Sequence, residues 1–195
     1  MLEEKRDKFR FLEILIGKIL SKLDLHPNYY TFLSLICGTL CFYFLLVKNL
    51  MLAFLFFFFA TILDFIDGAI SRYMLKSSKK GAYLDTIVDR YVEGMVLFGF
   101  LSLPLSKVLF DAKYWIFLSL FGSLITTYAK AAAKEKELVE KEMKKGLVGK
   151  GERSILILIT LFVGIFNIEL MIYPILLFAL LSNFGAIQRI VFNLK

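Results

Sequence analysis

Four aspartates have the types and spacing to do chemistry: Asp64, Asp67, Asp85 and Asp89. Residues three or four apart on a helix share a face, so Asp64 pairs with Asp67 and Asp85 with Asp89. All four fall in or beside strongly apolar segments. A charge at the centre of a bilayer costs about 2.5–3.5 kcal/mol on insertion scales, and clustered carboxylates also repel one another. A divalent cation resolves both problems. An all-oxygen donor set favours hard ions such as Mg²⁺, Mn²⁺ or Ca²⁺, and with no histidine or thiolate nearby zinc is disfavoured. Such an ion can hold a pyrophosphate and stabilise charge developing on phosphorus. Gly68 and Gly81 flank the acids and would let a ligand approach the backbone. The plainer readings are an ion-pair network with Arg72 and Arg90, a helix contact at Gly68 and a loop end at Gly81.

The elements that hold these residues follow from the apolar runs. The chain has 195 residues, 58% hydrophobic, with 21 Phe and 24 Lys plus Arg. That is more apolar surface than a soluble core of this size needs, and it suits a multi-span membrane protein. Spacing and hydropathy predict an all-α integral membrane protein in one domain, 1–195. Its six transmembrane helices cover roughly 29–48, 50–74, 80–105, 113–140, 150–167 and 170–192. Before them, residues 2–24 place Phe11, Leu12, Leu15, Ile19 and Leu23 at helical spacing among basic residues. This predicts an amphipathic helix within 1–28, lying either on the membrane surface or on the protein's own cytoplasmic face. The charged N-terminus argues against a cleaved signal peptide. Cys37, Cys41 and His26 are read as structural.

Basic residues set the orientation. With the N-terminus inside, the cytoplasmic segments hold six Lys and Arg before Tyr29, four from Arg72 to Lys80, eight from Lys130 to Arg153 and two after Gln188. The opposite side holds only Lys48, Lys107 and Lys113. The expected location is therefore the cell membrane, multi-pass, with the acidic cluster toward the cytoplasm. Anionic lipid headgroups suffice to explain the net charge of +7, so no nucleic acid is invoked. In this orientation the second and third helices are antiparallel neighbours joined by a short cytoplasmic loop. Their carboxylate pairs can meet at one depth.

Asp64, Asp67, Gly68, Arg72, Gly81, Asp85 and Asp89 stand at the spacing of the CDP-alcohol phosphotransferase signature. The chain resembles that family in its six-helix pattern as well. The one departure is Ser71, where the family usually has Ala. The resemblance implies that Asp64, Asp67 and Asp85 bind metal and the CDP moiety, with Mg²⁺ or Mn²⁺ as cofactor. It implies that Asp89 is both metal ligand and general base, taking the proton of an acceptor hydroxyl that attacks the lipid-side phosphate as CMP leaves. Gly68, Ser71 and Gly81 would line the cytidine pocket, with Arg72 beside the diphosphate. The family's Pro-Asn and Thr entry to the first helix is matched by Pro27, Asn28 and Thr31, so Asn28 and Thr31 are expected at the nucleotide. A homodimer is the family's common state.

The acceptor is read from basic residues at helix ends. Lys130, Arg153 and Arg189 sit at the cytoplasmic ends of three helices and suit a second anion, a small phosphorylated alcohol. The segments around Asp85 to Tyr91, Tyr128 to Ala131 and Gly151 to Arg153 resemble the inositol 1-phosphate branch of the family. That implies CDP-archaeol or CDP-diacylglycerol as donor, and these three basic residues as the acceptor phosphate site. Glycerol 3-phosphate is the competing acceptor. A non-enzymatic cation transporter is the rival class, but the acids occupy one half of the membrane and nothing comparable lines the other.

Overall fold

The computed structural model describes residues 14, 17, 18, 27–73, 78–139 and 148–194. Among these the architecture is all-helical: α1 (Pro27–Leu46), α2 (Leu50–Tyr73), α3 (Lys79–Phe100), α4 (Ala112–Glu135), α5 (Lys150–Phe166), a 3₁₀ turn (Ile168–Met171) and α6 (Ile172–Asn193). Four segments are long and apolar enough to cross a membrane: Pro27–Leu46, Leu50–Tyr73, Ala112–Glu135 and Ile168–Asn193. The other two expected spans do not qualify by length and apolarity alone. α3 carries Lys79, Lys80, Asp85, Asp89, Arg90 and Glu93, and α5 is only 17 residues long. At 1.5 Å per residue, α5 reaches about 25 Å against a hydrocarbon core of about 30 Å. Of the expected N-terminal amphipathic helix, all but Ile14, Gly17 and Lys18 lies outside the described residues. Gly17 is buried, and a Cβ there would meet Cβ of Tyr73 at 2.6 Å and the carbonyl of Ala69 at 3.1 Å.

The third helix stops at Phe100, short of the expected 105, because Pro104 lies ahead. Proline lacks a donor and pushes the preceding residue out of the helical region. Pro174 is tolerated because it lies in the first turn of α6, where its missing N–H loses nothing.

The described residues divide into two compact units, one within Lys5–Gly99 and the other within Phe100–Lys195. In the first, α1 and α2 form a hairpin. Its turn is closed by bonds from Lys48 N–H to the Leu45 carbonyl and from Asn49 N–H to the Phe44 carbonyl, with Lys48 left-handed at φ 60°. This is the Schellman pattern of a helix end. Asn49 then caps α2 by accepting from the Leu52 N–H at 3.1 Å.

The inward stripe of α1 is not its most apolar one. Thr31, Ser34, Gly38 and Cys41 are buried, whereas Tyr29, Phe32, Leu33, Ile36 and Tyr43 are exposed. Lipid solvates Phe and Leu as well as a protein core does, so helix contacts select small residues that let backbones approach. Gly38 meets α3: a Cβ there would lie 2.7 Å from Val92 Cγ2. This contact seats α3 on α1.

The second unit follows the same rule. α4 and α6 pack through Ser119, Gly122, Ser123, Thr126, Ser182 and Gly185, all buried. Thr126 donates to the Ser182 carbonyl at 3.2 Å, and Asn183 Nδ2 donates to the Leu118 carbonyl at 2.8 Å. α5 packs against α6 as well. Glu152 serves as a cap, its carboxylate accepting from the Gly149 N–H at 3.0 Å.

Gly38→Ala should destabilise the protein by about 1–3 kcal/mol, the usual cost of overpacking a tight contact. Adding Val92→Ala should recover much of that loss. Thermal unfolding in detergent checks both, and a double variant no more stable than Gly38→Ala would mean that α1 and α3 do not meet there.

Candidate active site

The acidic residues sit where α2 ends and α3 begins. Asp64 and Asp67 share one face of α2, and Asp85 lies in the second turn of α3. One carboxylate oxygen from each of Asp64, Asp67 and Asp85 falls within 4.8 Å of the other two. Asp67 is buried and the other two are half-buried. Asp89, one turn further along α3 and half-buried, stands outside this group of three. The Thr31 hydroxyl of α1 donates to Asp67 Oδ2 at 2.7 Å, across 36 residues of sequence.

A cavity of about 230 Å³ opens beside these acids. Its walls include Asn28, Thr31, Asp67, Gly68, Ser71, Arg72, Gly81 and Asp85. Eight of the nine residues expected at the CDP moiety therefore line one space, and the ninth, Asp64, joins through the carboxylate group. At both glycines the space a Cβ would fill borders the ends of polar side chains. A Cβ on Gly81 would come 3.2 Å from Asn28 Oδ1 and 3.0 Å from Ser78 Oγ, and one on Gly68 would come 3.0 Å from Arg72 Nη1. Side chains from α1, the loop and α2 thus close over bare backbone.

Sequence reasoning did not assign Ser78 and Ala82 to the cavity, and both line it. Ser78 has a readable signal, a serine just before a helix. Its Oγ accepts from the Gly81 N–H at 2.9 Å, and its carbonyl accepts from the Ala82 N–H at 3.0 Å. This is an N-cap, and it fixes the first turn of α3 from which Asp85 projects.

Three close carboxylates fit a hard divalent cation, which prefers oxygen donors and offsets their mutual repulsion. Arg90 Nη1 pairs with Glu93, which is buried one turn along the same helix, so these two charges accompany each other into the apolar part of α3.

The three basic residues expected at the acceptor lie in the second unit. Lys130 and Arg189 border one small cavity with Val139 and Asn193. The Arg189 guanidinium donates to the carbonyls of Thr126 at 3.3 Å and Val148 at 3.4 Å. Arg153 is buried in the first turn of α5.

The CDP-alcohol phosphatidyltransferase family profile matches residues 24–186, which takes in all six helices but the last turns of α6. The chain belongs to the CDP-alcohol phosphatidyltransferase family. It is therefore a transferase of phospholipid synthesis, with helices suited to a membrane. It is similar to the archaetidylinositol phosphate synthase of Pyrococcus horikoshii, 33% identical over 97% of this chain and 95% of that one. It is also similar to the archaetidylinositol phosphate synthase of Aeropyrum pernix, 28% identical over 91% and 87%. In fold it resembles the phosphatidylinositol phosphate synthase PgsA1 of Mycobacterium tuberculosis solved with CDP-DAG bound. That likeness has a TM-score of 0.76 at 22% identity, over 94% of both chains. PgsA1 has also been solved with manganese and citrate, again at a TM-score of 0.76 and 22% identity, over 94% of this phosphatidyltransferase and 89% of that chain.

Replacing Ser78 by Ala should cost about 0.5–2 kcal/mol of local stability, the usual worth of an N-cap. Hydrogen exchange at the Gly81 amide should speed up accordingly, while Ser78→Asp should preserve protection. Unchanged exchange in Ser78→Ala would show that the cap does not hold this turn.

Proposed function

We propose that this enzyme transfers the lipid phosphate of a CDP-linked lipid, CDP-archaeol or CDP-diacylglycerol, to inositol 1-phosphate and releases CMP. The observation that carries the reading is the trio Asp64, Asp67 and Asp85 beside a cavity bounded by Gly68 and Gly81. The synthases from Pyrococcus and Aeropyrum, named for archaetidylinositol phosphate, support the acceptor. Glycerol 3-phosphate remains the competing phosphorylated alcohol.

In this reading the cytidine and diphosphate occupy the cavity beside Asn28, Thr31, Gly68, Ser71, Arg72 and Gly81. Mg²⁺ or Mn²⁺, held by Asp64, Asp67 and Asp85 with Asp89 beside them, would supply positive charge to the diphosphate oxygens. Asp89 accepts the proton of the acceptor hydroxyl as its oxygen attacks the lipid-side phosphorus, and the bond to CMP breaks. In the proposal Asp89 is metal ligand as well as base. Lys130, Arg153 and Arg189 hold the acceptor's phosphate by charge-assisted bonds. Six spans with the site toward the cytoplasm, preceded by the surface helix in one domain, and assembly as a homodimer complete the proposal. Manganese in the PgsA1 structure and its CDP-DAG complex are in keeping with the metal and the donor proposed here.

The test is CMP release by purified protein with either donor, with and without Mg²⁺ or Mn²⁺, offering inositol 1-phosphate, glycerol 3-phosphate, inositol and serine in turn. Metal-dependent release with inositol 1-phosphate alone, and the matching lipid by mass spectrometry, is expected. Release only with glycerol 3-phosphate would reassign the acceptor. No release with any acceptor would turn attention to cation flux.

Two substitutions divide the roles. Asp89→Asn should lower kcat for CMP release about 10²- to 10⁴-fold, the usual worth of a general base. Lys130→Ala and Arg153→Ala should raise KM for the phosphorylated acceptor more than for the CDP-lipid. Equal effects on both substrates would remove them from the acceptor site. Arg189 is a poorer probe, because it also ties the carbonyls of Thr126 and Val148.

A further inference from the structure

Threonine in a helix usually turns its hydroxyl back to a carbonyl one turn earlier. The chain has seven threonines, and six do this. Thr39, Thr86, Thr126, Thr127 and Thr160 donate to the carbonyl four residues back, and Thr61 to the one three back. Thr31 instead crosses to another helix and donates to Asp67 Oδ2 at 2.7 Å. Both residues are buried, at 4% and 5% exposure. The α1 backbone is tied at the same point, where the Ser34 hydroxyl donates to the Thr31 carbonyl at 2.8 Å.

A carboxylate on a helix can rotate about its terminal bond, and a single short donor to one oxygen fixes that rotation. Asp67 is the most buried of the three clustered acids. Its orientation decides how its oxygens face Asp64 and Asp85. The donor also spreads some of the negative charge that the three acids concentrate.

We infer that Thr31 is a positioning residue for the metal: its hydroxyl orients Asp67 and thereby sets the affinity of the three-aspartate site for a divalent cation. This rests on the metal reading proposed above. It assigns the Thr31 hydroxyl to the carboxylate rather than to the nucleotide, although the residue also borders the nucleotide cavity. Valine at position 31 has nearly the same shape and lacks the donor. Serine keeps the donor and loses a methyl.

The experiment is Mn²⁺ binding to the purified full chain in detergent, followed by the electron paramagnetic resonance signal of free Mn²⁺, with no substrate present. Thr31→Val should weaken Mn²⁺ binding about 10- to 100-fold, the usual effect of losing an outer-shell partner. Thr31→Ser should bind within a few-fold of wild type, and Thr31→Ala repeats the loss should the valine variant not fold. The metal-free melting temperature of Thr31→Val should stay close to that of wild type, which separates positioning from a merely structural role. Unchanged Mn²⁺ affinity in Thr31→Val, with weakened CMP binding only, would overturn the inference and leave the metal site standing. If wild type binds no Mn²⁺, or Asp64→Asn and Asp67→Asn bind it as tightly as wild type, the metal reading itself fails.

Discussion

Three carboxylates held within 4.8 Å of one another where α2 ends and α3 begins are the constraint on which the rest of the structure depends. At an effective dielectric of about 20, two such charges roughly 5 Å apart repel by about 3 kcal/mol. Three of them would drive α2 and α3 apart unless other contacts held the helices in place. Thr31 donates to Asp67 at the site itself, and further contacts along the same elements hold the frame. Gly38 lets α3 settle against α1 at Val92, the Lys48 turn fixes the α1–α2 hairpin, and Ser78 pins the start of α3. The repulsion is thus built into a frame that a divalent cation would relax, which is a physical reason for the site to favour binding one.

The same frame explains why the cavity has bare backbone on two sides. A nucleotide diphosphate is bulky and highly charged, and in the proposed reading it would come close to carboxylates that already crowd each other. Glycine at 68 and 81 leaves the cavity wall bare there, where such a ligand would approach the helices. Arg72 over Gly68 adds a positive charge at the rim. The second unit is held by a different device, buried hydroxyls and amides donating between α4 and α6. Both units expose their large apolar side chains outward, as helices surrounded by lipid do.

Much of the site was legible because helix geometry converts spacing into position. Asp64 with Asp67, and the turn-by-turn placing of Asp85, needed only the 3.6-residue period and a short loop between two helices. The residues carried over by resemblance, such as Asn28 and Thr31, came together in the cavity because they stand at the start of α1, beside the end of α2. Other features were not legible. The inward face of α1 could not be read from hydropathy, since its lipid-facing residues are the more apolar ones. The early end of α3 depends on Pro104, whose effect reaches back several residues. Pairing of Arg90 with Glu93 is a matter of rotamers, which a sequence does not give. That Glu152 caps α5 was not read from the sequence either. Contacts across helices, such as Thr31 to Asp67, have no signature in spacing at all.

The central claim is that Asp64, Asp67 and Asp85 together hold a divalent cation at the CDP moiety. Anomalous diffraction at the manganese edge, from crystals grown with Mn²⁺ and a CDP-linked lipid, tests it most directly. A strong peak bounded by those three carboxylates, with the diphosphate beside it and cytidine against Gly68 and Gly81, is the predicted result. A nucleotide bound in that cavity with no manganese among the three aspartates, or manganese bound elsewhere in the chain, would contradict it.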